Sequence, residues 1–261
     1  MAAAEPVREK SFRLQPVAKL RRMRPTSHSG VTTRANNVTP RMITAAHIEQ
    51  ARDKILLGRV RAGVVISPAE RRLIALHEAG HAVVGLIACP EDQLHKVTMQ
   101  ARGRSLGAAH YSPEADRYLY SRHYLEGVIA KALGGRAAEL IFLGAACVTS
   151  GAGGDLVQAT SVARRMVGEL GMSDRVGLVS ADPAAHGGGA PSAQLQSRID
   201  DAVADLVKVQ ADRAEALVRQ HRGAVEAIAT ALLEHDVLDA EDVMAIARRH
   251  GALGERQLVA A

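Results

Sequence analysis

The 261-residue sequence is poor in cysteine and in aromatic side chains. It has two cysteines, Cys89 and Cys147, no tryptophan and only 2% aromatic residues. Two cysteines without a spacing pattern do not indicate a disulfide framework, so we expect a reducing compartment. The lack of aromatic rings for base stacking argues against nucleic-acid binding as the main function.

Long apolar segments are also missing. The sequence has no run of about 18 uncharged apolar residues, the length that a membrane span needs. The best candidate, residues 72–90, is interrupted by His77, Glu78 and His81. We therefore predict no transmembrane segment and no signal peptide, and a cytoplasmic chain that associates with membranes only through partners.

Positive charge is concentrated near the N-terminus. Residues 1–41 carry nine Arg or Lys against two Glu, a net charge of +7, which leaves −2 for the remainder because the whole chain carries +5. The segment has no sustained apolar period, so residues 1–42 are interpreted as a disordered basic arm. A tether to an anionic surface and a targeting peptide are the alternatives.

From residue 43 onward the pattern is periodic and predicts a mainly α-helical protein with a small β-sheet. Residues 43–66 favour a short linker helix, 67–250 a folded domain and 251–261 a flexible tail. Within the domain we predict a helix from Ser67 to Pro90, two strands in 94–112, a helix over 122–143 interrupted at Gly134 and Gly135, a helix from Asp155 to Leu170, and a C-terminal helical bundle.

The residues with the clearest chemistry lie inside the first predicted helix. His77 and His81 are four positions apart, so on a helix they share one face and can bind one metal ion. Glu78 is rotated around the helix axis and can reach a water at the metal without binding the metal itself. This is the H-E-x-x-H arrangement of zinc peptidases, with Glu78 as the general base.

A zinc site of this kind needs a third protein ligand. The metzincin continuation would require Gly at position 84 and His at position 87, and these positions hold Val84 and Ile87. A carboxylate from a later helix remains, and spacing alone leaves three candidates: Glu126, Glu139 and Asp155.

Four ordered segments narrow the choice: HEAGHAVVGL, LHKVTMQARGRSLGAAHYSPEADRY, ALGGRAAELIF and GDLVQATSVARRMVGELGMSDRVG. Together they resemble the peptidase domain of the FtsH family of AAA-linked zinc metalloproteases, over about residues 45–250. The resemblance implies an FtsH-like zincin fold and a zinc metalloendopeptidase. It also implies that His77, His81 and Asp155 are the metal ligands and that Glu78 is the base.

The sequence departs from the family pattern in two places. The loop before Asp155 is a few residues longer, and Gly154 stands where Asn commonly precedes the ligand. The second Glu of a family doublet is replaced here, as Glu139 is followed by Leu140. Glu139 is therefore the second choice as a ligand and is expected to support the site or the helix packing.

The resemblance also implies partners. Family members form six-fold rings, degrade unfolded polypeptides and carry an ATPase module, whose phosphate loop ends in Gly-Lys-Ser/Thr. The resemblance therefore implies a homo-oligomer, a hexamer as in the family. Because this sequence contains no Gly-Lys pair, a separate AAA ATPase is a candidate partner for ATP-driven work. Two alternatives are a catalytically silent FtsH-like scaffold or subunit of a larger protease assembly, and a protein that binds through its basic arm around a structural metal.

Overall fold

A computed structural model of the chain describes residues 66–101, 106–113, 118–182 and 189–253, together with a few isolated positions before residue 66. The predicted basic arm, 1–42, lies outside the described residues, as does the end of the predicted tail. Most of the predicted linker helix also lies outside them, although its described positions 47, 48, 51, 54 and 55 are helical.

The elements after residue 66 confirm a mainly helical fold with a small sheet. In chain order they are α1 (Pro68–Ala88), β1 (Asp92–Thr98), β2 (Ala108–Pro113), α2 (Arg122–Leu143), α3 (Gly153–Gly168), α4 (Ala193–Gln220), α5 (Arg222–His235), β3 (Val237–Asp239) and α6 (Ala240–Arg249). Two short 3-10 turns, Ala145–Cys147 and Ser150–Ala152, connect α2 to α3.

Helix α1 begins where its capping residues predict. The Ser67 hydroxyl accepts the Glu70 amide at 3.3 Å, and the Glu70 carboxylate accepts the Ser67 amide at 3.1 Å, which completes a capping box. Pro68 occupies the first helical position, and the helix ends before Pro90. Most of α1 is buried, because it packs against α2, α5 and the sheet.

Helices α1 and α2 cross at two glycines, where their backbones are in contact. A Cβ on Gly80 would lie 2.4 Å from the Gly134 carbonyl oxygen, and a Cβ on Gly134 would lie 2.7 Å from the Gly80 carbonyl oxygen. The predicted interruption of α2 at Gly134 and Gly135 is therefore wrong. The helix is continuous there, and the missing side chains allow the two backbones to touch.

The three strands form an antiparallel sheet in the order β2-β1-β3. The two predicted strands are confirmed, but β3 was not expected. From the sequence alone, the strand KVTMQ, residues 96–100, is expected to be a free edge to which an extended peptide could pair. This is wrong, because residues 96–98 of β1 pair with β2 on one side and with β3 on the other. Strand β2 has no further strand beside it among the described residues.

The C-terminal helices confirm the predicted bundle. Helix α4 packs on α2 and α3, and α5 packs on α1. Asp239 caps α6 by accepting the Asp242 amide at 3.0 Å.

In the part of the chain that the structure describes, no helix combines the length and apolarity needed to span a lipid bilayer.

Candidate metal centre

Helix α1 presents three polar side chains in the middle of its buried length. His77 and Glu78 are buried, and the side chain of His81 is 12% exposed. Burying such groups is costly unless each finds a partner. Their partners come from α2, β2 and α3.

Three ligand atoms converge at this point. The Nε2 atoms of His77 and His81 lie 3.0 Å apart, and Oδ2 of Asp155 lies 3.2 Å from the first and 3.5 Å from the second. These are the only groups of this kind that the described residues bring together as a possible metal site. The structure thus juxtaposes three of the residues proposed from the sequence.

Asp155 reaches the histidines from the first turn of α3. The helix begins at Gly153, two residues earlier than predicted. The partial positive charge of the helix N-terminus favours a carboxylate at this position. A Cβ on Gly154 would meet no atom within 4 Å, so the residue that commonly precedes the ligand in the family, Asn, would have space there.

Both imidazoles keep their second nitrogen occupied. His81 Nδ1 lies 2.8 Å from the carbonyl oxygen of Lys131, which can only accept, so this nitrogen carries the proton. His77 Nδ1 donates to Oε1 of Glu139 at 2.7 Å. When both rings are neutral, each Nε2 atom therefore carries a lone pair. These lone pairs are directed at each other and at the Asp155 carboxylate. Only a shared proton or a metal cation makes such an arrangement favourable.

The pKa values of His77 and Asp155 show that the site favours a positive charge. Burial opposes a charge on His77, but the carboxylates of Asp155 and Glu139 outweigh it and raise the pKa of His77 to about 10. Burial also opposes a charge on Asp155, yet hydrogen bonds from His77 and His81 lower the pKa of its carboxyl group. The site holds a positive charge strongly, whether as a proton or as a metal ion.

Glu139 is fully buried on the far side of His77 from Asp155. Its Oε2 accepts the Thr149 amide at 2.7 Å, and its Oε1 accepts the Thr149 hydroxyl at 3.2 Å in addition to His77. These donors lower the pKa of Glu139 despite its burial. Because it contacts Nδ1, it orients the ring and is not among the converging atoms. The third candidate from spacing, Glu126, instead pairs with Arg122 at 2.9 Å.

Glu78 lies against the inner side of β2. A Cβ on Gly107 would come within 2.6 Å of Glu78 Oε1, so a side chain at this position would displace the carboxylate from where it lies. Burial raises the pKa of Glu78, while His81, His77 and the Ala109 amide act in the opposite direction. A raised pKa brings a carboxylate closer to the value that suits a general base near neutral pH.

The converging groups open into a cleft of about 1040 Å³. Strand β2, the N-terminal half of α1 and the loop before Asp155 line it, together with Leu106, Lys131 and Gln158. His77, His81 and Asp155 themselves line this cleft, so the converging atoms are reached from it.

Comparison with known proteins identifies the family of this chain. The model of peptidase family M41 matches residues 64–246, which include His77, His81 and Asp155. This chain belongs to peptidase family M41. The resemblance to the FtsH peptidase domain is thereby confirmed.

Several curated relatives match most of this M41 chain. FtsH 3 of Sorangium cellulosum, named an ATP-dependent zinc metalloprotease, is 42% identical over 205 residues, which cover 78% of this chain and 33% of that protein. FtsH of Acidothermus cellulolyticus is 43% identical over 76% of this chain and 31% of its own length. YME1L of Drosophila melanogaster is 39% identical over 78% and 28%, respectively. The chain spans about a third of the length of these relatives.

Four residues that shape the site were given no role in it by the sequence analysis. Thr149 holds Glu139, Gly135 and Gly107 leave room for His77 and Glu78, and Lys131 supplies the carbonyl for His81. Only Gly135 carried a signal, because a glycine inside a helical period requires a packing reason. The others depend on contacts between elements distant in sequence.

We predict that metal binding to this M41 chain releases a proton at neutral pH. Because the pKa of His77 is raised to about 10, a proton occupies the site in metal-free protein, and a divalent metal ion must displace it. The apparent affinity should rise by about tenfold per pH unit between pH 7 and pH 9. Titration calorimetry in buffers of different ionisation enthalpy measures the protons released. A binding constant independent of pH, after correction for the buffer, would contradict this expectation.

Proposed function

We propose that this chain is a zinc-dependent metalloendopeptidase, with His77, His81 and Asp155 as zinc ligands and Glu78 as the general base. The observation that carries the proposal is the convergence of three lone-pair atoms while both Nδ1–H groups donate elsewhere. Membership of family M41 and the zinc metalloprotease names of the relatives support the same activity.

The donor set fits zinc in number and in spacing. Tetrahedral zinc with bonds of about 2.0–2.2 Å separates neighbouring ligand atoms by about 3.3–3.6 Å. The distances between the converging atoms are 3.0, 3.2 and 3.5 Å. Two imidazoles and one carboxylate also leave a fourth position open, which is typical of catalytic zinc and not of closed structural sites.

Side chains and main-chain groups around the zinc ligands take the other roles in peptide hydrolysis. When bound, zinc acts as a Lewis acid and lowers the pKa of a water to about 7. Glu78 accepts the proton from the attacking water and returns it to the amine that leaves when the peptide bond breaks. Glu139 holds His77 in the tautomer that presents Nε2, and the Ala109 amide restrains the Glu78 carboxylate.

We further propose that substrates bind as an extended segment along β2. Residues 108–111 of this strand line the cleft, and its outer edge has no strand beside it in the described chain. A peptide added to a sheet edge is held by main-chain hydrogen bonds, which favours unfolded or flexible polypeptides with little sequence preference. This edge replaces the one initially expected on β1.

The ligand assignment predicts different effects at the two carboxylates. Asp155→Asn should lower zinc occupancy from one per chain to near zero at micromolar concentration, as should His77→Ala. Glu139→Gln should weaken zinc affinity by about 10–100-fold, the range typical of residues that orient a ligand. Metal analysis after dialysis and chelator competition measure both, with Glu126→Gln as the control. The reverse order of effects would transfer the ligand role to Glu139.

The general-base assignment predicts a separation of binding from chemistry. Glu78→Gln keeps the shape of the side chain but cannot accept a proton, so zinc should stay and casein hydrolysis should fall by about 10²–10⁴-fold. Glu126→Gln, at a half-buried carboxylate that pairs with Arg122 and is not among the converging atoms, should retain normal turnover. Near-normal hydrolysis by Glu78→Gln would exclude the role. A wild-type chain that binds zinc without hydrolysing peptides would favour the scaffold alternative.

We infer the partners of this chain from its relatives, which are named ATP-dependent. We propose a homo-oligomer, a hexamer by resemblance, and a separate AAA ATPase for substrates that must be unfolded. The 261-residue chain lacks the Gly-Lys pair of a phosphate loop. It should therefore cleave a casein-like substrate at a rate indifferent to ATP and leave a tightly folded protein intact. ATP-stimulated degradation of the folded substrate by the purified chain would refute this.

A further inference from the structure

The two histidines are held by different kinds of group. His77 donates its Nδ1–H to a carboxylate side chain, whereas His81 donates to the main-chain carbonyl of Lys131 at 2.8 Å. The position of a main-chain carbonyl is set by the position of the helix to which it belongs, here α2. The orientation of His81 therefore depends on what fixes α2 against α1 at Lys131.

The side chain of Lys131 is anchored in the interior. It is 15% exposed, and its ammonium group lies 2.5 Å from Oδ2 of Asp92, whose side chain is 7% exposed. The other oxygen of Asp92 accepts the Tyr124 hydroxyl at 2.9 Å. A buried carboxylate with both oxygens occupied holds its partners in one geometry. Asp92 thus ties the start of β1 to α2.

Tyr111 completes the attachment from β2. The Lys131 ammonium lies 4.4 Å from the centre of its ring, in cation–π contact. Its hydroxyl donates to the carbonyl oxygens of His81 and Ala82, at 3.1 and 2.9 Å. Gly85 makes this possible, because a Cβ there would lie 2.1 Å from the hydroxyl oxygen.

We propose that Asp92, Tyr111 and Lys131 form a clamp that positions His81, an inference that rests on the proposed zinc site. Lys131 holds the imidazole through its carbonyl, and Tyr111 holds the main chain of the same residue. Asp92 fixes Lys131, so His81 is held at both its ring and its backbone. The clamp does for His81 what Glu139 does for His77. Its members are positioning residues, because none is among the converging ligand atoms.

Two independent changes test the clamp. Tyr111→Phe removes only the hydroxyl and keeps the ring beneath Lys131. The pair Asp92→Asn with Lys131→Met removes the charges together, so that no buried carboxylate is left without a cation. Matched controls are Tyr120→Phe, at an exposed ring stacked on Tyr124, and Lys208→Met, at an exposed ion pair on α4.

Each clamp variant should weaken zinc binding by about tenfold in chelator competition, the lower end of the range for residues that orient a ligand. It should also alter the visible absorption spectrum of the cobalt(II)-substituted protein and lower kcat while KM changes little. The controls should match wild type in all three measurements.

The outcomes separate the clamp from the proposed function. If wild type binds zinc and hydrolyses casein, but both clamp variants keep its zinc affinity and cobalt spectrum and lose only thermal stability, the clamp is structural and the inference is wrong. If wild type binds no metal at all, the zinc site itself is wrong and the clamp falls with it.

Discussion

The crossing of α1 and α2 at Gly80 and Gly134 is the constraint on which the site depends. The helices run antiparallel and nearly touch, so two positions eight residues apart on α2 meet two histidines four residues apart on α1. Lys131 meets His81, and Glu139 meets His77. Between them Gly135 leaves the space that His77 occupies, since a Cβ there would lie 2.5 Å from His77 Nε2. A wider separation of the helices would remove both imidazole partners together.

Charge balance explains why so many carboxylates can be buried around the two imidazole rings. Asp155, Glu139 and Glu78 surround His77, and each is restrained by donors from a different element. A divalent cation at the convergence point would offset most of this negative charge, whereas apolar side chains of the same volume would need no compensation. The polar interior of α1 is thus costly for folding and becomes favourable on metal binding.

Local signals explain which parts of the fold could be predicted. The bounds of α1 depend on Ser67, Pro68 and Pro90, all close in sequence, and the shared face of His77 and His81 follows from helical spacing alone. The continuity of α2 could not be predicted in this way, because the local cost of Gly134 is overcome by a contact with a distant helix. Strand β3 has only three residues and pairs with a strand about 140 positions away, so it offered little periodicity.

The choice between Asp155 and Glu139 as the third ligand is a further limit of prediction from the sequence. Both carboxylates contact His77, but on opposite nitrogens. Spacing along the chain contains no information about which nitrogen a side chain meets, so resemblance had to favour one of them. The geometry gives the two carboxylates different tasks, one at the convergence point and one behind the ring.

The anchoring of Thr149 bears on how the loop before Asp155 can vary in length among relatives. The amide and the hydroxyl of Thr149 both donate to Glu139. The oxygen of the same hydroxyl accepts the Gly151 amide at 3.1 Å, and α3 begins two residues later, at Gly153. The span from Thr149 to Asp155 is therefore of fixed length. An insertion between the end of α2 and Thr149, where residues 145–147 are exposed, would leave this span unchanged. The loop could be longer there without displacing the Asp155 carboxylate.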